Sequence, residues 1–207
     1  MRSRLFHPPS VHVPDPQHER KVGWLELFYD LIFVAGFIQL GNGLSDNPNA
    51  RGFMAFAASF AAMWVAWSGF TYFMNRVLID DLLHRLSVFG QMAAIGVTAF
   101  SAKDLLNGNY RTFALSFGVA LAFVALFNAR AHLQSRESRP WTTYWGTIFA
   151  IASALWLSAA FVPVPMIAYG LMALAGVLIA AAPMSKVHLS YQLDYPLDAE
   201  HLAERFG

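Results

Sequence analysis

The apolar residues of this chain fall into six blocks, separated by charged residues or by Pro, Gly and Asn. Each block approaches the roughly 17 to 25 residues that an α-helix needs to cross a bilayer. The blocks are continuously apolar, whereas strands of a membrane barrel alternate every second residue, so the pattern predicts helices. Between the last two blocks, Pro163 and Pro165 predict either a break between two helices or a kink in one. The predicted spans cover residues 24–44, 53–75, 86–102, 113–128, 141–161 and 164–182.

Composition agrees with this pattern. Apolar residues make up 57% of the chain and charged residues 13%, where soluble proteins carry about 25% charge. We therefore predict an all-α, polytopic membrane protein, a bundle of about six transmembrane helices. Residues 1–22 are expected to form a disordered cytoplasmic tail, because they are rich in Pro, His and charge. Residues 23–183 form the membrane domain, and residues 184–207 a cytoplasmic segment that leads toward a missing second half.

Basic residues are distributed unequally between the two sides that six spans define. Of the 14 Lys and Arg residues, three lie on the side reached after the first span, namely Arg51, Lys103 and Arg111. The other eleven lie on the side of the N-terminus. Because cytoplasmic loops carry the excess of Lys and Arg, this bias predicts that both termini are cytoplasmic.

Two carboxylates, Glu26 and Asp30, lie one helical turn apart in the first span. A carboxylate in hydrocarbon costs roughly 2.5 to 3.5 kcal/mol on insertion scales, so such residues usually face the interior of a bundle. At about 1.5 Å per residue, Glu26 lies about 5 Å deep, near the headgroups, and Asp30 about 10 Å deep. We expect Asp30 to face the bundle as a functional group, with Glu26 at a mouth closer to water.

Polar side chains of three other spans lie near the depth of Asp30 by the same count. They are Ser68 and Thr71 in the second span, Gln91 in the third and Thr147 in the fifth. This layer predicts a site for a proton or cation, with Gln91 and either Thr71 or Ser68 as the nearest polar neighbours of Asp30. The alternative is that the uncharged residues only join helices, at about 0.6 kcal/mol per hydrogen bond on average. The predicted site comprises Asp30, Glu26, Gln91, Thr71 and Ser68.

A second polar group opens the third span. Asp80 or Asp81 suits the N-cap of that helix, and His84 lies four residues after Asp80, which is also the spacing of a pair of metal ligands. Capping and charge pairing are the favoured interpretation. The two nearby arginines would each pair with Glu26 in a purely structural alternative. The predicted charge-pair group comprises Arg76, Arg85, Asp80, Asp81 and His84.

Several chemistries find no support in the sequence. The chain has no cysteine, and it contains no Gly-rich phosphate loop, HExxH or GxSxG motif. We expect no enzyme activity, no catalytic residue, no cofactor and no metal site. A net charge of +1 without a basic stripe also predicts no nucleic-acid partner. The expected partners are the lipid bilayer and either a second copy of the chain or a C-terminal helical half.

Three segments carry a resemblance to a known family. Residues 24–34, WLELFYDLIFV, resemble the opening signature of the bacterial low temperature requirement protein A family. Asn75-Arg76 followed by residues 80–85, DDLLHR, resembles its next characteristic segment, and residues 201–207 resemble a mid-chain segment. Two departures stand out: family members usually continue with further membrane helices beyond this point, and Tyr29 stands where a second Phe is common.

The resemblance implies a multi-pass protein of the bacterial inner membrane, named for growth in the cold, and brings no established substrate, cofactor or catalytic residue. Our leading hypothesis is a proton- or cation-linked transporter of unknown substrate. One alternative is a membrane scaffold or sensor in stress response, in which the acidic pair is structural. Another is a cation channel, because residues 28–30 faintly resemble the Phe-Ser-Asp motif of some six-helix potassium channels, although Ser is absent here.

Overall fold

The computed structural model describes residues 10–11, 22–79, 81–186, 188 and 203. Two 3-10 helices, Ala102–Asn107 and Ala182–Met184, follow the third and sixth long helices. Strand β1 (Ser10–Val11) pairs antiparallel with β2 (Val77–Leu78). Apart from this short strand pair, the fold is all-α. The long helices are α1 (Trp24–Asp46), α2 (Ala50–Arg76), α3 (Leu82–Ser101), α4 (Arg111–Gln134), α5 (Arg139–Phe161) and α6 (Pro165–Ala181).

The strand pair corrects one expectation about the N-terminal tail. β1 lies within residues 1–22, which composition predicted to be disordered. Val77 leaves α2 in an extended conformation, so the backbone groups of β2 are available to pair with a second strand. Ser10 lies opposite Leu78 and Val11 opposite Val77. The prediction of a disordered tail is therefore wrong for Ser10–Val11.

The helix ends follow local sequence signals. The side chain of Asn49 accepts a hydrogen bond from the amide of Gly52, 2.9 Å away, and caps the start of α2. Pro165 is the first residue of α6, where a missing amide hydrogen costs nothing. The chain breaks between α5 and α6, which excludes the kinked single helix. The hydroxyl of Tyr110 donates to the carbonyl of Val162 in this break, at 2.7 Å.

Helix α4 lies at the centre of the bundle. It packs against α2, α3 and α5, while α1 packs on α2 and α3, and α6 on α5. Of the most apolar 18-residue stretch of α4, 56% of the residues are buried, compared with 22% for the same kind of stretch in α1. By length and composition, α1, α2, α4, α5 and the α6 segment are apolar enough to cross a membrane. Helix α3, which carries His84, Arg85 and Gln91, is not among these five.

Helices α4 and α5 approach each other closely at Gly118, which has no side chain. A Cβ added to Gly118 of α4 would lie 2.9 Å from the side chain of Leu157 on α5. In the same contact, the hydroxyl of Ser153 donates to the carbonyl of Gly118 at 2.8 Å. Small residues and hydrogen bonds of this kind hold helices together in lipid, where burial of apolar surface gives little driving force.

The outer surface of the bundle is apolar. On α1, the side chains of Leu31, Val34 and Ile38 are exposed, and on α6 those of Met166 and Val177. Soluble proteins rarely expose contiguous apolar surface on this scale. The described surface is therefore suited to contact with lipid.

Candidate functional site

Asp30 is held against α2 by a tryptophan. It lies half-buried on α1, and its Oδ1 accepts a hydrogen bond of 2.7 Å from Nε1 of Trp67. Trp67 itself is 6% exposed and stacks on Phe33, with ring centroids 5.7 Å apart. The hydrogen bond connects the carboxylate to the neighbouring helix through an indole, and Trp67 is not a member of the predicted polar layer.

Glu26 is more buried than Asp30, which reverses the expected order. Its side chain is 3% exposed, on the same face of α1 as Tyr29 and Phe33. The depth count gave its height along the helix, but it did not give the direction in which the side chain points. Glu26 therefore packs against its neighbours at this end of the bundle, and its place at a mouth closer to water stays a prediction.

Gln91 and Thr71 are buried but do not bind Asp30. Both side chains are 0% exposed, on α3 and α2 respectively. Neither the amide of Gln91 nor the hydroxyl of Thr71 finds a hydrogen-bond partner among the described residues. The structure thus places two polar side chains of the predicted layer in the core, and neither forms a hydrogen bond to the carboxylate of Asp30.

The other two members of the predicted layer lie elsewhere. Ser68 lines a cavity together with Tyr72 and Arg76, one and two turns further along α2, and Asp30 is not among the residues that line this cavity. Thr147 is exposed on the outer surface of α5. A layer shared by four helices at the depth of Asp30 is therefore not what the structure describes.

Asp81 forms a two-point ion pair with Arg130 of α4. Arg130 donates from Nη1 to Oδ1 at 3.0 Å and from Nη2 to Oδ2. The side chain of Asp81 is 0% exposed and that of Arg130 10%. Oδ1 of Asp81 also accepts from the amide of His84 at 2.8 Å, which confirms the predicted N-cap of α3. Arg130 lay outside the predicted fourth span, because the apolar block ends at residue 128, whereas α4 continues to Gln134.

His84 packs in the core of the bundle. Its ring is 1% exposed and lies edge-on to Phe127, with centroids 5.2 Å apart. Asp80, the other member of the alternative metal pair, lies outside the described residues. Within the described ranges, no group of three or more His, Cys, Asp or Glu side chains is arranged to hold a metal ion.

The two predicted arginine partners of Glu26 each stack on a tryptophan. The guanidinium carbon of Arg76 lies 5.1 Å from the ring centroid of Trp141, and that of Arg85 lies 5.9 Å from the ring centroid of Trp24. Such cation–π contacts stabilise a desolvated arginine. Pairing of either arginine with Glu26 stays a prediction.

A cavity of about 370 Å³ lies between α2, α5 and the end of α6. Arg76, Trp141 and His188 line one end of it. His188 follows α6 and is 7% exposed, with its ring edge-on to Trp145. Burial and, to a smaller extent, the positive charge of Arg76 lower the pKa of His188 below its ordinary value.

Six long helices with an apolar outer surface and polar side chains in the interior define a multi-pass α-helical membrane protein. Residues 21–207 match the family described as Bacterial low temperature requirement A protein (LtrA). The chain belongs to this family, and it is an integral membrane protein.

A similar relative comes from Rhizobium meliloti (strain 1021) and is described as an uncharacterized protein. It is 29% identical over 209 aligned positions, which cover 90% of this chain and 47% of the relative. The chain therefore spans about half the length of the curated relative that it matches. No solved structure matches the chain.

Proposed function

We propose that this protein is a proton- or cation-linked transporter of the bacterial inner membrane, with both termini of the chain on the cytoplasmic side. Asp30 is the group that binds the proton or cation. The excess of Lys and Arg on the side of the N-terminus supports the orientation.

The observation that carries the proposal is the hydrogen bond between Asp30 and Trp67. A carboxylate within a membrane span is costly, and such groups mark proton and ion pathways by default. An indole N–H stabilises the ionised carboxylate but does not cancel its charge, since it is a neutral donor. This contact holds the side chain in place, and in our proposal Asp30 exchanges a proton or binds a cation at this position.

Transport would use the two buried polar groups close to this helix pair. Gln91 and Thr71 lie on α3 and α2, both of which pack against α1. Their polar atoms lack hydrogen-bond partners among the described residues, and such groups usually require a partner when buried. A cation or proton carrier that passes between these helices would find donors and acceptors there.

A stress-related scaffold or sensor is the second candidate. The observation in its favour is the ion pair of Asp81 with Arg130, which fastens α3 to the central helix α4. The hydrogen bond between Asp30 and Trp67 would then be a second structural contact between helices. Neither Asp30 nor Asp81 would change its protonation while the protein functions.

The bilayer and a further helical unit are the proposed partners. The exposed apolar residues of α1 and α6 would contact lipid, and part of this surface would contact a second copy of the chain or a C-terminal helical half. The length of the relative, about twice that of this chain, supports a larger assembly.

Infrared difference spectroscopy of the protein in proteoliposomes tests the assignment to Asp30. After a pH step, or after addition of Na⁺ or K⁺, we expect a carboxyl band that disappears in Asp30→Asn and shifts in Trp67→Phe. Asp104→Asn is the matched control, since Asp104 is also half-buried but lies in the 3-10 helix after α3. If neither the pH step nor the addition of Na⁺ or K⁺ produces a carboxyl band that depends on Asp30, the result would favour the scaffold.

A further inference from the structure

The cavity beside Arg76 is elongated and differs in character between its two ends. Its lining residues on α2 run from Arg76 to Trp64, roughly three helical turns or about 18 Å along the axis. Arg76 is the last residue of α2, so that end lies where a span leaves the membrane. The other end lies deep within the span.

Polar groups gather at the Arg76 end. Nε1 of Trp141 is a buried donor and Oδ1 of Asn128 a buried acceptor, and neither finds a hydrogen-bond partner among the described residues. Both side chains line the cavity, as does His188. Among the described residues that line it there is no Asp or Glu, and the indole N–H of Trp141 is a donor that suits an anion.

The deep end is apolar and reaches the outer surface. Val65 and Phe149 form its walls together with Trp64, which is 44% exposed. At the Arg76 end, Ala180 near the end of α6 is exposed as well. The cavity is therefore accessible from the lipid side, between α2 and α6.

We propose that this cavity binds one anionic phospholipid, with its phosphate at Arg76 and Trp141 and an acyl chain along Trp64 and Phe149. The guanidinium, already stacked on Trp141, presents donors that match two phosphate oxygens. A head-group hydroxyl, as in phosphatidylglycerol, supplies a donor for Asn128. The volume of about 370 Å³ accommodates the head and the start of one chain, within the range of ligand pockets.

The position of the site agrees with the position of such a lipid. A phospholipid places its charge at the interface and its chains toward the midplane, which is the order of polar and apolar residues along this cavity. The Arg76 end is also the end with the excess of basic residues, and basic pockets between helices on the cytoplasmic side are known to bind anionic head groups. This inference does not depend on the proposed transport.

Native mass spectrometry of the delipidated protein in detergent, with phosphatidylglycerol and phosphatidylcholine in equal amounts, tests the site. We expect the first phosphatidylglycerol to bind about tenfold more tightly, the effect of roughly one charge-assisted hydrogen bond. Arg76→Gln should reduce this preference to near unity. Arg85→Gln should retain it, because Arg85 also stacks on a tryptophan but does not line the cavity.

A second pair of variants covers the case in which Arg76→Gln does not fold. Ala180→Trp fills the open side of the cavity, whereas Ala181→Trp alters the adjacent exposed residue, which does not line it. Loss of the preference in the first variant alone supports the site. Equal binding of the two lipids by the wild type, or an unchanged preference in both cavity variants, would overturn the proposal. Displacement of bound phosphatidylglycerol by an equal concentration of laurate would also overturn the proposal, because the ligand would then be a fatty acid.

Discussion

The ion pair between Asp81 and Arg130 allows the strongest prediction about stability, because one carboxylate performs two separable functions. It pairs with Arg130 and it caps α3 through the amide of His84. Asp81→Asn keeps a good capping residue but removes the charge, whereas Asp81→Ala removes both. Breaking a buried pair by removing one partner costs about 3 to 5 kcal/mol. Since Arg130 is 10% exposed, we expect about 3 kcal/mol for Asp81→Asn, near the low end of that range.

Loss of the cap adds about 1 kcal/mol, so Asp81→Ala should cost about 4 kcal/mol. Unfolding in mixed detergent micelles, followed by circular dichroism, measures both values. Arg130→Met should cost about 3 kcal/mol in the wild type but less than about 1 kcal/mol in the Asp81→Asn background, as a double-mutant cycle. Arg136→Gln is the control, because Arg136 is exposed just after α4. A cost below about 0.5 kcal/mol for Asp81→Asn, the range of an ordinary surface change, would refute this reasoning.

Three further predictions concern other contacts. Trp67→Phe should cost about 1.5 kcal/mol in the same unfolding assay, near the upper end for hydrogen bonds between membrane helices, because the acceptor is a carboxylate; an unchanged stability would argue against the bond to Asp30. Gly118→Val should separate α4 from α5, because its side chain would clash with Leu157, and should lower the unfolding temperature, while the same change at the open Gly170 should not. The lowered pKa of His188 favours its neutral form in the folded protein, so stability should fall as pH drops below the ordinary histidine pKa; a His188→Gln variant with the same pH dependence would contradict this.

The sequence predicted the helices well because each one is long and continuously apolar. All six predicted spans correspond to a helix, with ends that agree to within a few residues except in α4. That helix extends past residue 128 to Gln134. Its last turns are polar, so the apolar block from which the span was predicted ends before them. The difference mattered, because it assigned Arg130 to a loop and concealed the partner of Asp81.

The polar layer was predicted less well for a geometrical reason. A fixed rise per residue gives the depth of a side chain, but the direction in which it points depends on how the helix is rotated against its neighbours. Thr147 and Ser68 have the expected depth by this count, yet one is exposed and the other lines a separate cavity. The partner of Asp30 was missed because Trp67 resembles an ordinary core residue, and its polar atom is a single N–H.

Ion flux into proteoliposomes tests the central claim most directly. Vesicles that contain the protein at matched abundance are given a gradient of protons, Na⁺ or K⁺, and uptake is compared with that of empty vesicles. The account predicts uptake of at least one of these ions by the wild type and by Asp104→Asn, and uptake at the level of empty vesicles for Asp30→Asn, because the amide keeps the shape of the side chain but cannot titrate. Wild-type flux in Asp30→Asn, or no flux above empty vesicles in the wild type for any of the three ions, would contradict it.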